Sequence, residues 1–251
     1  MMSENQKQAP IQFIKPDAAV FVAIPTHSGT ICDKLAGAMI QATRKGNIAK
    51  LSTTNGSVLT RNFNMSLAVA LNNREKLSHL CIVHGDIEIL KPFWLDTMLE
   101  IMAREKADIL SVVSPIKTME GFTSTAIDEP TSLPHWSVKR LTLHEIFKDY
   151  PATFTHPKIL LNTALMLIDL GWEGIEKCYF AFEDKLVKDK DGKFHPVGVS
   201  EDWVFSRQAR ALGARMFATR EIQINHVGSM RFGNTEPWGD AKTDEVTSGQ
   251  V

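Results

Sequence analysis

The chain has 251 residues, of which 43% are hydrophobic and 23% charged, a balance typical of globular proteins and unlike that of disordered or fibrous chains. Its 28 Lys and Arg residues stand against 29 Asp and Glu, so the net charge of -1 gives no reason to expect nucleic acid or an anionic membrane as a partner. A chain of this length can bury roughly 70 to 75% of its unfolded surface as one domain.

Residues 1–16 are polar and Gln-rich and are predicted to form a flexible tail, followed by a domain at 17–235 and a second tail at 236–251. No run approaches the length of about 18 apolar residues that a membrane helix needs, and the first residues lack the order of a signal peptide. Cys32, Cys81 and Cys178 are odd in number and far apart, which favours reduced thiols. We therefore expect a cytoplasmic protein.

The first half of the domain alternates apolar strands with helices. Ala18 to Ile24 is an apolar run ended by Pro25, which predicts a strand buried on both faces, and Thr30 to Lys45 has the apolar spacing of a helix. The alternation continues to residue 115, with strands at 48–52, 79–83 and 108–114 and helices at 61–71 and 92–106. This order predicts an α/β fold with a mainly parallel mixed central sheet flanked by helices.

The second half is less regular, and residues 121–140 are predicted to include surface loops or a lid. Residues 159–169 are expected to form a buried strand or strand pair, and Asp191-Gly192 is a hairpin-turn signal. A helix is predicted at 201–212 and a last strand at 215–227. No internal repeat or boundary divides the chain, so we expect a single domain.

His84, Gly85 and Asp86 follow the strand predicted at 79–83. Sheets of this class bind their ligands at the carboxyl ends of the strands. A carboxylate buried there without a partner is very costly, so a cation or a hydrogen-bond donor is expected to face Asp86. A divalent metal would satisfy it, and a turn in which Asp86 caps the next segment is the structural alternative.

Two further candidates lie near the C-terminal end of the domain. Ser200 can cap a helix whose first turn holds Glu201 and Asp202. The helix macrodipole alone favours acids at this position, so only one of the two acids need take part in a reaction. His226 ends the last apolar strand, and a lone histidine is more often a hydrogen-bonded core residue than a ligand. These residues point to chemistry only in combination.

Arg61 and Asn64 lie one turn apart on the second helix, and a guanidinium suits the planar recognition of phosphate or carboxylate. A solvated helix face is the alternative. Pro25, Thr26 and His27, at the end of the first strand, would line the same crevice either as turn residues or as nucleotide contacts.

Six segments in this order resemble the GT-A glycosyltransferases, particularly the family-two-like enzymes and their short relatives in phage and bacterial genomes. They are AIPTHSG, LTRNFNMSLAVAL, CIVHGDIEI, LNTALMLID, VSEDWVFSRQARALG and INHVGSMRFG. The resemblance covers about residues 17–235 and implies a single Rossmann-like domain of the nucleotide-diphospho-sugar transferase type. It also implies transfer of a sugar from a donor such as a UDP-sugar to an acceptor that the sequence does not identify, with inversion at the anomeric carbon.

The resemblance also implies roles for the candidate residues. The family's strand-end motif is Asp-any-Asp, in which the last acid holds a divalent metal; Asp86 matches that acid and His84 replaces the first. Asp86 and His226 would then bind Mn²⁺ or Mg²⁺, with His84 as a further candidate ligand. Asp202 would be the general base, with Glu201 beside it. The implied nucleotide-sugar contacts are Pro25, Thr26, His27, Arg61, Asn64, His84, Gly85 and Asp86.

Two other functions remain open. A metal-dependent nucleotidyltransferase or phosphohydrolase could use a similar sheet, but it would need more clustered acids or a basic Gly-rich loop near the first strand. A non-catalytic module that binds nucleotide sugars is suggested by His84 in place of the usual acid. The sequence lacks the motifs G-x-G-x-x-G, G-x-x-x-x-G-K-[ST] and G-x-S-x-G. Their absence argues against a dehydrogenase, a P-loop protein and an α/β-hydrolase, respectively.

Overall fold

The computed structural model describes residues 18–26, 29–129 and 138–240. The predicted N-terminal tail, the candidate His27 and most of the predicted C-terminal tail lie outside these ranges. Trp238 belongs to the predicted C-terminal tail, yet its indole nitrogen donates a hydrogen bond to the Gly233 carbonyl at 2.8 Å and its ring packs against the core. No helix in the described ranges is long and apolar enough to cross a bilayer.

The described residues form short strands and helices throughout. The helices are α1 (Asp33–Ile40), α2 (Leu59–Leu71), α3 (Trp94–Glu105), α4 (Leu143–Asp149) and α5 (Glu201–Ala211), with a 3₁₀ turn at Glu173–Lys177. The strands are β1 (Val20–Thr26), β2 (Ile48–Asn55), β3 (His79–Val83), β4 (Ile87–Ile89), β5 (Ile109–Val112), β6 (Phe122–Ile127), β7 (Lys139–Thr142), β8 (Thr153–Phe154), β9 (Ile159–Leu160), β10 (Leu165–Asp169), β11 (Glu183–Lys188), β12 (Phe194–Val199), β13 (Met216–Thr219), β14 (Ile224–Val227) and β15 (Arg231–Gly233).

The largest sheet in the described residues has the strand order β2-β1-β3-β10-β5-β13-β8. Strand β1 is parallel to β2 and β3, and β5 is parallel to β13. Strand β10 runs antiparallel between β3 and β5, and β8 is antiparallel at one edge. Because β1, β2, β3, β5 and β13 share one direction, the sheet is mixed but mainly parallel, and the predicted fold class is confirmed.

The sheet is covered on both faces, and its central strands are accordingly apolar at most positions. Along β1, Phe21 and Ala23 point into one core, while Val20, Val22 and Ile24 point into the other. The first core is covered by α2 and the second by α1 and α3. This two-sided burial explains why the strands read as continuous apolar runs and not as alternating ones.

Helix α1 is shorter than predicted, because it ends at Ile40 and not near residue 45. The carbonyls of Gln41 and Ala42, which a longer helix would have used internally, accept hydrogen bonds from the backbone of Phe93 and Leu95 at 2.8 and 3.0 Å. These carbonyls therefore serve the first turn of α3, whose N–H groups have no partner within their own helix.

The segment 121–140, predicted to include surface loops or a lid, contains two strands in its described part, and residues 130–137 lie outside the described ranges. Strand β6 pairs with β7 and β9, and its threonines are buried. The Thr123 hydroxyl lies 2.8 Å from the carbonyl of Leu141 and 3.1 Å from that of Thr125. Because a buried hydroxyl needs a hydrogen-bond partner and finds one in the backbone here, the segment's polar composition conceals a buried strand.

The remaining predictions for the second half are mostly confirmed. Residues 159–169 contain two buried strands, β9 and β10, which lie in different sheets, and Asp191-Gly192 lies in the turn of the β11–β12 hairpin. The single strand predicted at 215–227 is wrong, because the chain leaves the central sheet after β13 and enters a three-stranded sheet, in the order β15-β14-β4, as β14. This change of sheet brings the end of the domain back to the end of β3.

Candidate functional site

The three-stranded sheet places His226 next to Asp86. Within it, His226 pairs with Ile87, and the backbone N–H of Val227 donates to the Asp86 carbonyl at 2.8 Å. As a result, Asp86 Oδ2 lies 3.5 Å from His226 Nε2. Two residues far apart in the sequence are thus held together at the carboxyl end of a central strand.

A buried carboxylate fixes the register of this small sheet. Glu88 Oε2 accepts hydrogen bonds from Asn225 Nδ2 and Arg231 Nε, both at 2.8 Å. Burial opposes ionisation of Glu88, but these two donors hold its pKa below the ordinary value. The carboxylate therefore connects all three strands in its charged form, which keeps the neighbouring Asp86 and His226 in position.

The second ring nitrogen of His226 is oriented by the backbone. Nδ1 lies 2.9 Å from the carbonyl oxygen of Pro115, and a carbonyl can only accept, so Nδ1 carries a proton. The hydrogen bond from His226 to Asp86 requires a proton on Nε2 as well; without that proton, Nε2 has a lone pair with which it can bind a cation. A histidine whose far nitrogen donates to a carbonyl has the arrangement found in metal-binding histidines.

Lys117 completes the surroundings of Asp86. Its Nζ donates a hydrogen bond to Asp86 Oδ2, and the two side chains are 37% and 41% exposed. Burial opposes ionisation of Asp86, but hydrogen bonds and charge from His226 and Lys117 lower its pKa well below the usual range. Sequence analysis missed Lys117, although its place just after the strand predicted at 108–114 was a usable signal.

His84 is engaged elsewhere. Its Nε2 lies 3.0 Å from Thr163 Oγ1, and its ring stacks on Phe63 with centroids 5.6 Å apart. Burial lowers the pKa of His84 to about 4, so the ring is neutral at pH 7. No group of three His, Cys, Asp or Glu side chains in the described parts of the chain is arranged to hold a metal, so an ion at Asp86 would have His226 as its second protein ligand.

Gly85 brings the end of β3 against the end of β1. Its carbonyl accepts the N–H of Cys32 at 2.8 Å, and a Cβ at this position would lie 3.1 Å from the Thr30 carbonyl oxygen and 3.2 Å from Thr26 Cγ2. Pro25 and Thr26 pair with β2 beside this contact. Pro25, Thr26, Gly85 and Asp86 therefore lie along one edge of the sheet.

Arg61 and Asn64 do not share one environment. Arg61 is exposed, whereas the amide of Asn64 makes two hydrogen bonds with the backbone of Phe180, at 2.7 and 2.8 Å. Asn64 thereby anchors the segment before the β11–β12 hairpin to α2, and these contacts occupy its amide group.

The acid pair lies at the start of α5. Ser200 is the N-cap residue, but the expected side-chain cap is absent, since its hydroxyl donates to Asp202 Oδ1. The backbone N–H of Trp203 donates to the same oxygen at 2.8 Å. Burial, reinforced by the charge of Glu201, raises the pKa of Asp202 to about 7, although Ser200 and Arg140 oppose the shift. Burial also raises the pKa of Glu201.

Arg140 is a cation near this pair that sequence analysis missed, because it lies in the segment predicted as loops. Its guanidinium carbon is 4.6 Å from the centroid of a Trp203 ring, and its charge lowers the pKa of Asp202. The indole nitrogen of Trp203 donates to the Ser124 carbonyl at 3.0 Å. Strand β6 therefore holds the first turn of α5.

One stretch of chain connects the two clusters of candidate residues. Pro115, whose carbonyl orients His226, forms a β-bridge with Thr123. The next residue, Ser124, accepts the hydrogen bond from Trp203, the neighbour of Asp202. The pair of Asp86 and His226 and the acids of α5 are thus both fastened to residues 115–124.

A separate cleft of about 400 Å³ opens at the opposite ends of the central strands, lined by His79, Asp169 and Arg215 among others. These residues stand at the amino ends of β3 and β13 and at the end of the antiparallel β10. Sheets of this class bind ligands at the carboxyl ends of their parallel strands, so the edge with Asp86 remains the candidate site.

No protein-family model matches the chain, and no curated protein matches it significantly. Among solved structures, A197 from STIV is similar over 92% of this chain and 100% of its own, at 12% identity and a TM-score of 0.50. This likeness is one of fold alone.

Two other solved structures are similar to the chain with lower TM-scores. A putative glucose-1-phosphate thymidylyltransferase from Bacillus anthracis, solved with a sucrose, matches 83% of this chain and 89% of its own at 8% identity, with a TM-score of 0.41. An apo UDP-glucose pyrophosphorylase covers 83% of this chain and 76% of its own at 8% identity, with a TM-score of 0.36. Scores this low support no conclusion about the present chain.

Proposed function

We propose that the chain is a metal-dependent glycosyltransferase, which moves a sugar from a nucleoside diphosphate to an acceptor hydroxyl with inversion. The observation that carries the proposal is the pairing of Asp86 with His226 Nε2 at the carboxyl end of β3. Asp202, whose pKa is raised to about 7, adds a candidate base at the start of α5. The resemblance of the six sequence segments to GT-A enzymes supplies the reaction class. The three free thiols suit the reducing, cytoplasmic setting expected from the sequence.

The donor set at Asp86 fits a divalent cation. Ligands that lie about 2.1 Å from one ion are separated by roughly 3.0 to 3.5 Å from each other. Asp86 Oδ2 and His226 Nε2 are 3.5 Å apart, and the Nδ1 proton that Pro115 holds leaves Nε2 as the nitrogen that can bind a cation. Carboxylate, imidazole and donor phosphate oxygens together suit Mn²⁺ or Mg²⁺. When bound there, the cation would stabilise the negative charge that develops on the diphosphate leaving group.

Asp202 is suited to take the proton of the acceptor hydroxyl. Both hydrogen bonds described for its carboxylate go to Oδ1, which leaves Oδ2 for the acceptor. As the acceptor oxygen forms its bond to the anomeric carbon, its proton passes to Oδ2. The bond from that carbon to the diphosphate breaks, and its electron pair stays on the phosphate oxygen. A base with a pKa near the working pH is efficient in this step.

The nucleotide would lie along the edge formed by Pro25, Thr26 and Gly85. The close approach of Gly85 to Thr26 keeps the ends of β1 and β3 in contact, so one ligand can span both. Arg61, exposed at the start of α2, can reach an anionic group of the donor from the β1 side.

The direct test is to incubate the protein with a panel of nucleotide sugars, with Mn²⁺ or with a chelator, and to measure the free nucleotide released. We expect release with at least one donor and its loss on chelation. Asp86→Asn and His226→Ala should lose metal-dependent nucleotide binding, whereas Asp149→Asn, an exposed carboxylate on α4, should not. Absence of metal-dependent release with every donor would contradict the proposal.

The engagement of His84 by Thr163 favours one second candidate, a module that binds nucleotide sugars without turnover. Because His84 replaces an acid and is held away by that contact, the site lacks one charge of the Asp-any-Asp pattern. The same assay separates the two functions, since a binding module would retain Mn²⁺-dependent nucleotide binding and release no nucleotide with any donor and acceptor.

A further inference from the structure

Lys117 and a divalent cation would compete for one oxygen atom. Lys117 Nζ donates to Asp86 Oδ2, and the same oxygen faces His226 Nε2. An ion held between that oxygen and His226 Nε2 would take the place of the Lys117 ammonium, because at such separations an ammonium and a dication repel strongly. Lys117 therefore has to leave Asp86 when a cation binds there.

The charge of a donor complex requires a further cation. A nucleoside diphosphate sugar carries about two negative charges, and Asp86 adds one. A divalent cation therefore leaves about one negative charge unbalanced, and another develops as the diphosphate departs. Lysine is a common ligand of phosphate groups, which it binds as a compact point charge.

The side chain of Lys117 can move without a change in the backbone. Its stem packs on Gly228, where a Cβ would lie 2.9 Å from Lys117 Cδ. Its side chain is 37% exposed, and the ammonium lies at the end of a flexible four-carbon stem. Gly228 thus leaves a channel for the stem, while the charged end is free to turn from Asp86 to a neighbouring anion.

We infer that Lys117 is a diphosphate-binding residue that neutralises Asp86 when no cation is bound and passes to the donor's diphosphate when one binds. The inference rests on the proposed function for the identity of the ligand. It predicts opposite effects of one substitution: removal of the ammonium strengthens cation binding to the free protein and weakens diphosphate binding to the cation-loaded protein.

The experiment consists of two calorimetric titrations on the wild type and on Lys117→Met. The first measures the binding of Mn²⁺ to the free protein, and the second measures the binding of inorganic pyrophosphate at saturating Mn²⁺. We expect Mn²⁺ to bind Lys117→Met several-fold more tightly and pyrophosphate to bind it about 10-fold more weakly, the loss typical of one charge-assisted hydrogen bond. Lys158→Met, which removes another exposed lysine from an ion pair with Glu129, should change neither. Thermal melting checks that each variant folds.

Equal affinities in both titrations, or a shift of both in the same direction, would overturn the inference. Nucleotide release measured on the same samples tests the proposed function separately. If the two shifts occur while no nucleotide sugar is turned over, Lys117 keeps its assignment and the proposed glycosyl transfer fails. If turnover occurs but the two shifts do not, only the role of Lys117 is wrong.

Discussion

The surroundings of Asp86 and Asp202 shift the pKa values of these two carboxylates in opposite directions. Asp86 has Lys117 and His226 against it, which lower its pKa and keep it charged. Asp202 is buried beside a second acid, which raises its pKa to about 7. Pairs of acids whose environments separate their pKa values divide chemical roles in many enzymes. Here the charged acid suits a cation and the other suits proton transfer.

Asp202→Asn is expected to keep nucleotide binding and to lower turnover by about 100-fold to 10,000-fold, because an amide cannot accept the acceptor's proton. In the wild type, turnover should rise with pH through about 7, as Asp202 loses its proton, and Asp202→Asn should lack this rise. The measurements are kcat against pH and the dissociation constant of the nucleotide. Normal turnover by the variant would show that another group is the base.

Asp202→Asn should also change the stability of the protein, in a direction that the pKa shift of Asp202 predicts. The folded-state pKa of Asp202 lies above its unfolded value, so folding favours the protonated form, and this carboxyl's contribution to stability falls as the pH rises from about 4 through about 7. Asp202→Asn should therefore melt at a higher temperature than the wild type at pH 8, with the difference disappearing near pH 4. A constant difference across this range would show that the effect does not come from ionisation.

Four candidate residues could be predicted from the sequence, because acids and a histidine at the ends of predicted strands and helices can be recognised there. They are Asp86, His226, Glu201 and Asp202. It did not lead to Lys117, whose role depends on the folding of the loop after β5 across Gly228. It also could not show that the amide of Asn64 would be occupied, since its partner, the backbone of Phe180, is brought to it only by tertiary packing.

At the scale of elements, the end of β3 and the end of β1 meet at a glycine. Gly85→Ala would place a methyl group 3.1 Å from a backbone oxygen, which the loop after β1 can accommodate only by moving. We expect it to weaken nucleotide binding several-fold and to lower the melting temperature. The measurements are a nucleotide titration and a thermal melt.

Gly37→Ala is the matched control, because it lies on an exposed face of α1 with no atom within 4 Å of the added Cβ. It should raise the free energy of unfolding by about 1 kcal/mol through helix propensity alone, with nucleotide binding unchanged. If both alanines behaved alike, the close packing of Gly85 would not be important for the site.

Most elements were foreseeable where burial alone dictates the pattern, as in β1, β3 and α2. The failures have a shared cause. Strand β6 reads as polar although its buried Thr123 bonds to the backbone, and β13 and β14 belong to different sheets although only Arg220 to Gln223 separate them. A one-dimensional pattern reports which residues are buried, but it does not report which sheet buries them.

For the whole molecule, the two apolar cores make thiol reactivity a measure of unfolding. Cys81 is fully buried and Cys178 is buried, with burial raising the pKa of Cys178 to about 11, whereas Cys32 is partly exposed. A thiol reagent should modify one cysteine quickly in the native protein and the other two only on addition of denaturant. Mass spectrometry identifies the sites, and Cys32→Ser should abolish the fast phase. Rapid labelling of Cys81 in the native protein would contradict this packing.

The place of β10 in the central sheet has a consequence for synthesis. Because β10 separates β3 from β5, these two strands keep unpaired inner edges until residues 165–169 have left the ribosome. The β-α-β-α-β-α-β half made first therefore cannot close its own sheet, although its local pattern is complete. Contacts this distant in sequence slow folding, and exposed strand edges promote aggregation in the meantime. Nascent chains from which residues 165–169 have not yet emerged should accordingly depend on chaperones more than the finished protein does.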